Sequence, residues 1–240
     1  MFKTVGIIGF GPFAQLLTQH LAPHVSLLIH NRSPITEKLP ATAREVSMQE
    51  VGAAELVIIA VPFSAFESVL SELKDSLTPD TIVADVCSVK INPLESMLNI
   101  LPESIPIVGT HPLFGPQSID AFNPPEVVVC TGRGEQATLR VTELYELLGW
   151  KVRPLTPEEH DREMAMVHGL TFFIAQTMLE MKLDKPVLPT SFYSHLQQMA
   201  DMQAEHTSDL TETVEKYNPY AAEMRQQFLE KATQLDDSYR

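Results

Sequence analysis

Residues 4–22 read TVGIIGFGPFAQLLTQHLA. Val5, Ile7 and Ile8 make a short β-branched apolar run, and FAQLLTQHLA places its apolar residues at helical spacing. Between them, Gly9-Phe10-Gly11-Pro12-Phe13-Ala14 spells G-x-G-x-x-A. Glycines at these positions let a strand-to-helix turn tighten. Backbone N–H groups can then approach a pyrophosphate, whose charge sits at the positive end of the helix. Because the string stands between a strand and a helix, dinucleotide binding is expected, with Gly9, Phe10, Gly11, Pro12 and Phe13 against the cofactor. The competing reading is a tight glycine turn that binds nothing.

Working outward, HVSLLIH, AELVIIAV, DTIVADV and IPIVGTH are further apolar runs without polar alternation, the pattern of strands buried on both faces. SAFESVLSELKDSL has helical spacing, and EVVVCTG and GWKVRPL flank the helix-like EQATLRVTELYELLG. Strands that alternate with helices imply an α/β fold: a Rossmann-type doubly wound, mostly parallel sheet with ligands at the carboxyl ends of its strands. Thr156-Pro157-Glu158-Glu159 has the form of a capping box, and from there to the end no convincing strand remains. The expected domains are therefore 1–155, dinucleotide-binding, and 156–240, all-helical.

Composition limits the partners. The 240 residues are 44% apolar, enough for a full core, and the net charge of −14 is spread along the chain, which disfavours a nucleic-acid partner. No apolar run approaches the roughly 18 residues of a membrane span. The N-terminus enters the strand pattern with no charged and apolar leader, so a cytoplasmic location is expected. Cys87 and Cys130 both lie in apolar stretches, which suits buried reduced thiols. No histidine pair has helical ligand spacing with a third ligand nearby, so no metal is expected.

The second strand selects the cofactor. It ends at LLIH and continues Asn31-Arg32-Ser33, about where an NAD-binding protein carries a carboxylate for the ribose hydroxyls. An arginine between two small polar residues suits a 2′-phosphate instead, so NADP is expected ahead of NAD. Val61 and Pro62, after the next run, should bound the ribose and nicotinamide. DVCSVK (85–90) then offers a hydroxyl at Ser88, while Asp85 and Lys90 read as structural or capping residues. One strand further on, GTHPLFGP (109–116) confines His111 between glycines and prolines. Backbone so restricted around one imidazole suggests a placed proton acceptor, against the alternative of a turn histidine bonded to backbone.

VGIIGFGPFAQ, DVCSVK, GTHPLFGP and EEHDREMA, in this order and spacing, resemble the prephenate and arogenate dehydrogenases of tyrosine biosynthesis, most closely the short plant-type arogenate form. The likeness extends weakly to Asp209, Leu210, Tyr217 and Asn218. It implies oxidative decarboxylation of arogenate or prephenate. His111 would take the proton of the substrate's ring hydroxyl as hydride leaves the same carbon, and Ser88 would hold hydroxyl and histidine in register. Gly115 and His168 join Ser88 and His111 as expected substrate contacts, and Ser88 also borders the cofactor.

The helical half departs from this family. A second histidine usual in the family is Phe172 here, the arginine of plant-type members is Gln176, and the carboxylate-binding arginine of the bacterial bifunctional enzymes falls at Met202. Either another basic group, such as Arg162, Arg225 or His195, of this or a second subunit, takes over carboxylate recognition, or the substrate or the chemistry differs. His160, Met164, Val167 and Thr171 share an expected helical stripe, with His168 slightly off it. Its many methionines read as core or dimer filling, and a homodimer through these helices is expected because two apolar stripes exceed what one sheet domain covers. Two other classes compete: a different NADP-dependent hydroxy- or imino-acid dehydrogenase, favoured by the losses at Phe172 and Gln176, and a nucleotide-binding protein without turnover.

Overall fold

The computed structural model describes the whole chain except residues 117, 120–123, 184 and 185. It divides into two compact units, Met1–Glu158 and Glu159–Arg240.

The first unit is built on one eight-stranded sheet of order β3-β2-β1-β4-β5-β6-β7-β8. The strands are β1 (Thr4–Ile8), β2 (Ser26–His30), β3 (Ala43–Glu45), β4 (Leu56–Ile59), β5 (Ile82–Asp85), β6 (Ile107–Pro112), β7 (Glu126–Arg133) and β8 (Lys151–Pro154). All neighbours are parallel except β6 and β7, which run antiparallel. Its helices are α1 (Pro12–Leu21), α2 (Met48–Gly52), α3 (Phe66–Leu73), α4 (Ile91–Ile100) and α5 (Glu135–Leu147).

The strands are apolar throughout because both faces are covered. Val5, Ile7, Leu27, Ile29, Leu56 and Ile58 pack with Ala14, Leu17 and Leu21 of α1 and Val141 and Leu144 of α5. Alternate residues Ile8, Val57, Ile59 and Val83 pack with Phe66 and Leu70 of α3 and Leu94 and Met97 of α4 on the other face. Each fully buried leucine or isoleucine contributes about 1.5–3 kcal/mol. Beyond the expected elements the unit contains β3, α2 and α4; α2 carries a capping box in which Ser47 and Glu50 satisfy each other's backbone N–H. Cys87 and Cys130 are both buried.

The chain runs β1→β2→β3 to one side, then returns to place β4 on the other side of β1. This reversal opens a crevice at the carboxyl ends of β1 and β4, the general ligand position of such sheets.

The second unit is helical: the last part of α6 (Pro157–Met164), a π-helical turn at Ala165–Leu170, α7 (Thr171–Glu180), α8 (Ser191–Ala204), α9 (Ser208–Lys216) and α10 (Ala221–Ser238). Among its described residues no strand occurs. Residues 191–217 are two helices, because Thr207 caps α9 by accepting from the Leu210 N–H. The expected stripe also fails. His160 and Met164 are buried, whereas Val167 is 43% exposed and Thr171 is exposed, since the π turn winds more residues per turn and rotates everything after Met164.

Candidate active site

Gly9 adopts φ +95°, and a Cβ there would stand 2.4 Å from the Ala60 carbonyl oxygen and 2.9 Å from Val61 Cγ1. Only glycine fits a turn pressed this closely onto the end of β4. The Gly9 N–H donates to the His30 carbonyl at 2.8 Å, so the turn joins the ends of β2 and β4 across β1. Gly11 is the cap of α1, with Pro12 at the first helical position and no side chain capping the helix. Nothing lies within 4 Å of a Cβ built on Gly11. Open space in front of uncapped N–H groups is what a pyrophosphate needs, so these residues fit a dinucleotide.

Asn31 ties the end of β2 to this turn: its Oδ1 accepts from the Phe10 N–H at 3.2 Å and its Nδ2 donates to the Ser33 carbonyl at 2.9 Å. Arg32, Ser33 and Pro62 are exposed, and Val61 is half-buried beside Gly9. Phe13 meets Phe114 of the histidine stretch with ring centroids 6.3 Å apart. The glycine turn and that stretch are therefore in contact.

Ser88 and His111 emerge at the carboxyl ends of the adjacent strands β5 and β6, Ser88 half-buried and His111 4% exposed. Beneath them lies a fully buried polar group. Asp85 and Lys90 form an ion pair with no exposure of either side chain. Lys90 Nζ also donates to the Thr110 carbonyl at 2.6 Å. Asp85 accepts from the Cys87 N–H at 2.8 Å and the Thr110 N–H at 3.2 Å. The Thr110 hydroxyl donates to the Asp85 carbonyl and lies 3.1 Å from the Tyr145 hydroxyl. Burial pushes the Tyr145 phenol up to about 12, so it stays protonated. Gly115 has open space at its Cβ position and its N–H donates to Ser118 Oγ at 2.9 Å.

In the second unit, His160 and Asp161 are buried and bonded to each other at 2.7 Å, and Asn218 Nδ2 donates to the Asp161 carbonyl at 2.8 Å. The HD pair and the distant asparagine are thus one structural joint. His168, on the π turn, stacks on Phe172, which stacks on His206. Burial, with the neighbouring His160 and His206, pushes His168 down to about 4, so it is neutral at physiological pH and supplies no cation. A cavity of about 370 Å³ between α7 and α8 is lined by Phe172, His195, Met202, Gln203 and His206 among others. Gln176 bonds Glu180 of its own helix at 3.0 Å. Arg225 is engaged by the carboxylate and carbonyl of Glu215, and the Arg162 guanidinium stacks 4.2 Å above the Tyr220 ring. Among the described residues no three His, Cys, Asp or Glu side chains gather as a metal set, and no helix is long and apolar enough to cross a membrane.

Residues 23–153 match the family model described as prephenate dehydrogenase, nucleotide-binding domain. The chain belongs to the prephenate dehydrogenase family. Its first unit accordingly carries that family's nucleotide-binding domain. Among similar proteins, a probable arogenate/prephenate dehydrogenase of Methanocaldococcus jannaschii is 31% identical over 138 residues, which are 54% of this chain and 30% of that protein. Arogenate dehydrogenase 1, chloroplastic, of Arabidopsis thaliana is 26% identical over 237 residues, 93% of this chain and 37% of that one. The chain spans about a third of the length of these two curated relatives. The crystal structure of prephenate dehydrogenase from A. aeolicus in complex with hydroxyphenyl propionate and NAD+ superposes with a TM-score of 0.79 at 17% identity, covering 99% of this chain and 90% of that one. At that identity the likeness speaks for the fold. Within this prephenate dehydrogenase frame, Gly9–Phe13, Asn31, Val61, Ser88 and His111 all stand at carboxyl strand ends of one sheet, with Arg32, Ser33 and Pro62 exposed alongside. His168 belongs to the other unit. Thr110 and Tyr145 were not singled out from the sequence; Thr110 had only its place before His111, and Tyr145 only its place in a helix-like run.

Proposed function

We propose that the chain is an NADP-dependent dehydrogenase that oxidatively decarboxylates arogenate or prephenate. The observation that carries this reading is the placement of Ser88 and His111 at the carboxyl ends of adjacent strands, in a family member whose glycine turn occupies the end of β1. Residues 9–13 would hold the pyrophosphate, with Asn31, Arg32 and Ser33 around the adenosine ribose and Val61 and Pro62 beside the nicotinamide ribose. The nicotinamide, when bound, supplies the hydride acceptor. His111 accepts the proton of the ring hydroxyl as the C–H bond at the same carbon is lost. Ser88 bonds that hydroxyl and keeps the imidazole aligned. Loss of the ring carboxylate as CO2 then aromatises the ring, which makes the step effectively irreversible. The protein's share is orientation and one proton transfer.

Arg32 supports NADP over NAD, as residues 30–33 hold no carboxylate and the guanidinium is exposed beside the anchored Asn31. In an assay of reduced-cofactor formation with either substrate, NADP is expected to be preferred. Arg32→Ala should weaken NADP by about 10–100-fold, as loss of charge-assisted hydrogen bonds implies, with NAD little changed. Equal loss for both cofactors defeats the assignment, and absence of turnover with both substrates defeats the function.

A homodimer through the second unit belongs to the same proposal. Val187, Leu188 and Phe192 are at least 80% exposed, an apolar display that favours burial against a symmetric copy. Sedimentation at micromolar concentration should give twice the chain mass; a monomer mass removes it.

A further inference from the structure

The parallel ladder between β5 and β6 stops early. Its register pairs are Val83↔Ile107 and Ala84↔Val108, and beyond them the two strand ends are joined by side chains instead. The Asp85 carboxylate spans the gap: Oδ2 accepts from Cys87 N–H, the residue before Ser88, and Oδ1 accepts from Thr110 N–H, the residue before His111. One rigid carboxylate therefore sets the backbone immediately ahead of both site residues. Lys90 closes the same gap from Asp85 to the Thr110 carbonyl.

The hydroxyls extend the link to a helix. A carbonyl only accepts, so the single Thr110 proton goes to the Asp85 carbonyl, and the Tyr145 hydroxyl must be the donor to Thr110 Oγ1. Tyr145 in turn stacks on Trp150 at 5.3 Å, Trp150 meets Phe114 edge-on at 4.8 Å, and Phe114 touches Phe13 of α1. The chain of contacts begins at the glycine turn and ends next to His111.

A dry ion pair is a poor way to gain stability, since well-packed apolar residues of similar volume often do as well or better. What charged and hydroxyl groups add is direction, because each bond fixes a donor against an acceptor. We infer that Asp85, Lys90, Thr110 and Tyr145 form a buried clamp replacing the missing ladder, and that all four are positioning residues for Ser88 and His111. The positioning role rests on the dehydrogenase reading above.

Thr110→Val removes the hydroxyl while keeping the shape, and Thr110→Ser keeps the hydroxyl. Turnover should fall about 10–100-fold in Thr110→Val with KM for NADP nearly constant, the loss expected of a misplaced reacting group. Thr110→Ser should recover most of it, and Tyr145→Phe should show a smaller loss. Side-chain NMR of labelled histidine, with His111 assigned through His111→Asn, should show its imidazole displaced in Thr110→Val and native in Thr110→Ser. Wild-type turnover and an unmoved imidazole in Thr110→Val, or equal losses in Thr110→Val and Thr110→Ser, overturn the clamp. If Thr110→Val does not fold, Tyr145→Phe decides in its place: a native His111 signal and native turnover there overturn it. If the wild-type protein turns over neither ring substrate, the dehydrogenase reading fails, and the imidazole resonances alone decide the clamp.

Discussion

Replacing His111 by Asn is expected to lower turnover by about 10²–10⁴-fold, the usual share of a positioned proton acceptor. Cofactor affinity should hardly change, because the proposed pyrophosphate cradle, residues 9–13, lies at the end of β1 and His111 at the end of β6. Asparagine keeps a polar group of similar size at a 4% exposed position, so the thermal midpoint should stay close to that of the wild-type protein. Steady-state kinetics with NADP titration and a melting curve separate the outcomes. A catalytic histidine loses kcat at constant KM for NADP, whereas a merely structural one loses stability and keeps the turnover of its folded fraction.

Gly9→Ala should be the most damaging small change to the cofactor side. At φ +95° a Cβ costs about 1–2 kcal/mol, and forcing it against the Ala60 carbonyl, 2.4 Å away, costs about 1–3 kcal/mol more. The first unit should therefore lose about 2–5 kcal/mol, with NADP affinity falling as the turn is pushed off β4. Gly11→Ala provides the contrast. Its Cβ meets nothing within 4 Å, so stability should change little while cofactor affinity falls, because the methyl enters the space left for the pyrophosphate. Denaturant melts and fluorescence titration with NADPH measure both. A Gly9→Ala protein as stable as the wild type, with full affinity, would contradict the account of the turn.

These residues were legible because their chemistry leaves a mark on the sequence. Two-faced burial makes each strand of the first unit a continuous apolar run, and a pyrophosphate turn needs glycine at defined steps. Edge strand β3 left no such mark: its residues Ala43, Arg44 and Glu45 are partly or fully exposed and show no apolar period. The antiparallel direction of β7 is equally silent, since a strand buried on both faces has the same composition whichever way it runs. In the second unit the π turn is a hydrogen-bond shift with no compositional signature, and it removed Val167 and Thr171 from the stripe that 3.6-residue spacing predicts. Polar groups that act through others were hardest to find. Asp85 and Lys90 could be read as structural, but their joint hold on Thr110 depends on two strands meeting in space. The departures at Phe172, Gln176 and Met202 also acquire surroundings: a ring stack, an intrahelical hydrogen bond and a cavity wall, none of them a cation.

In the proposed reaction Ser88 and His111 serve one oxidation that ends in loss of CO2. Its most direct measurement is product stoichiometry, with purified protein, NADP and arogenate or prephenate. NADPH, CO2 and aromatic product are expected in equal amounts with at least one substrate. Reduced cofactor without CO2, or CO2 without reduced cofactor, would contradict it.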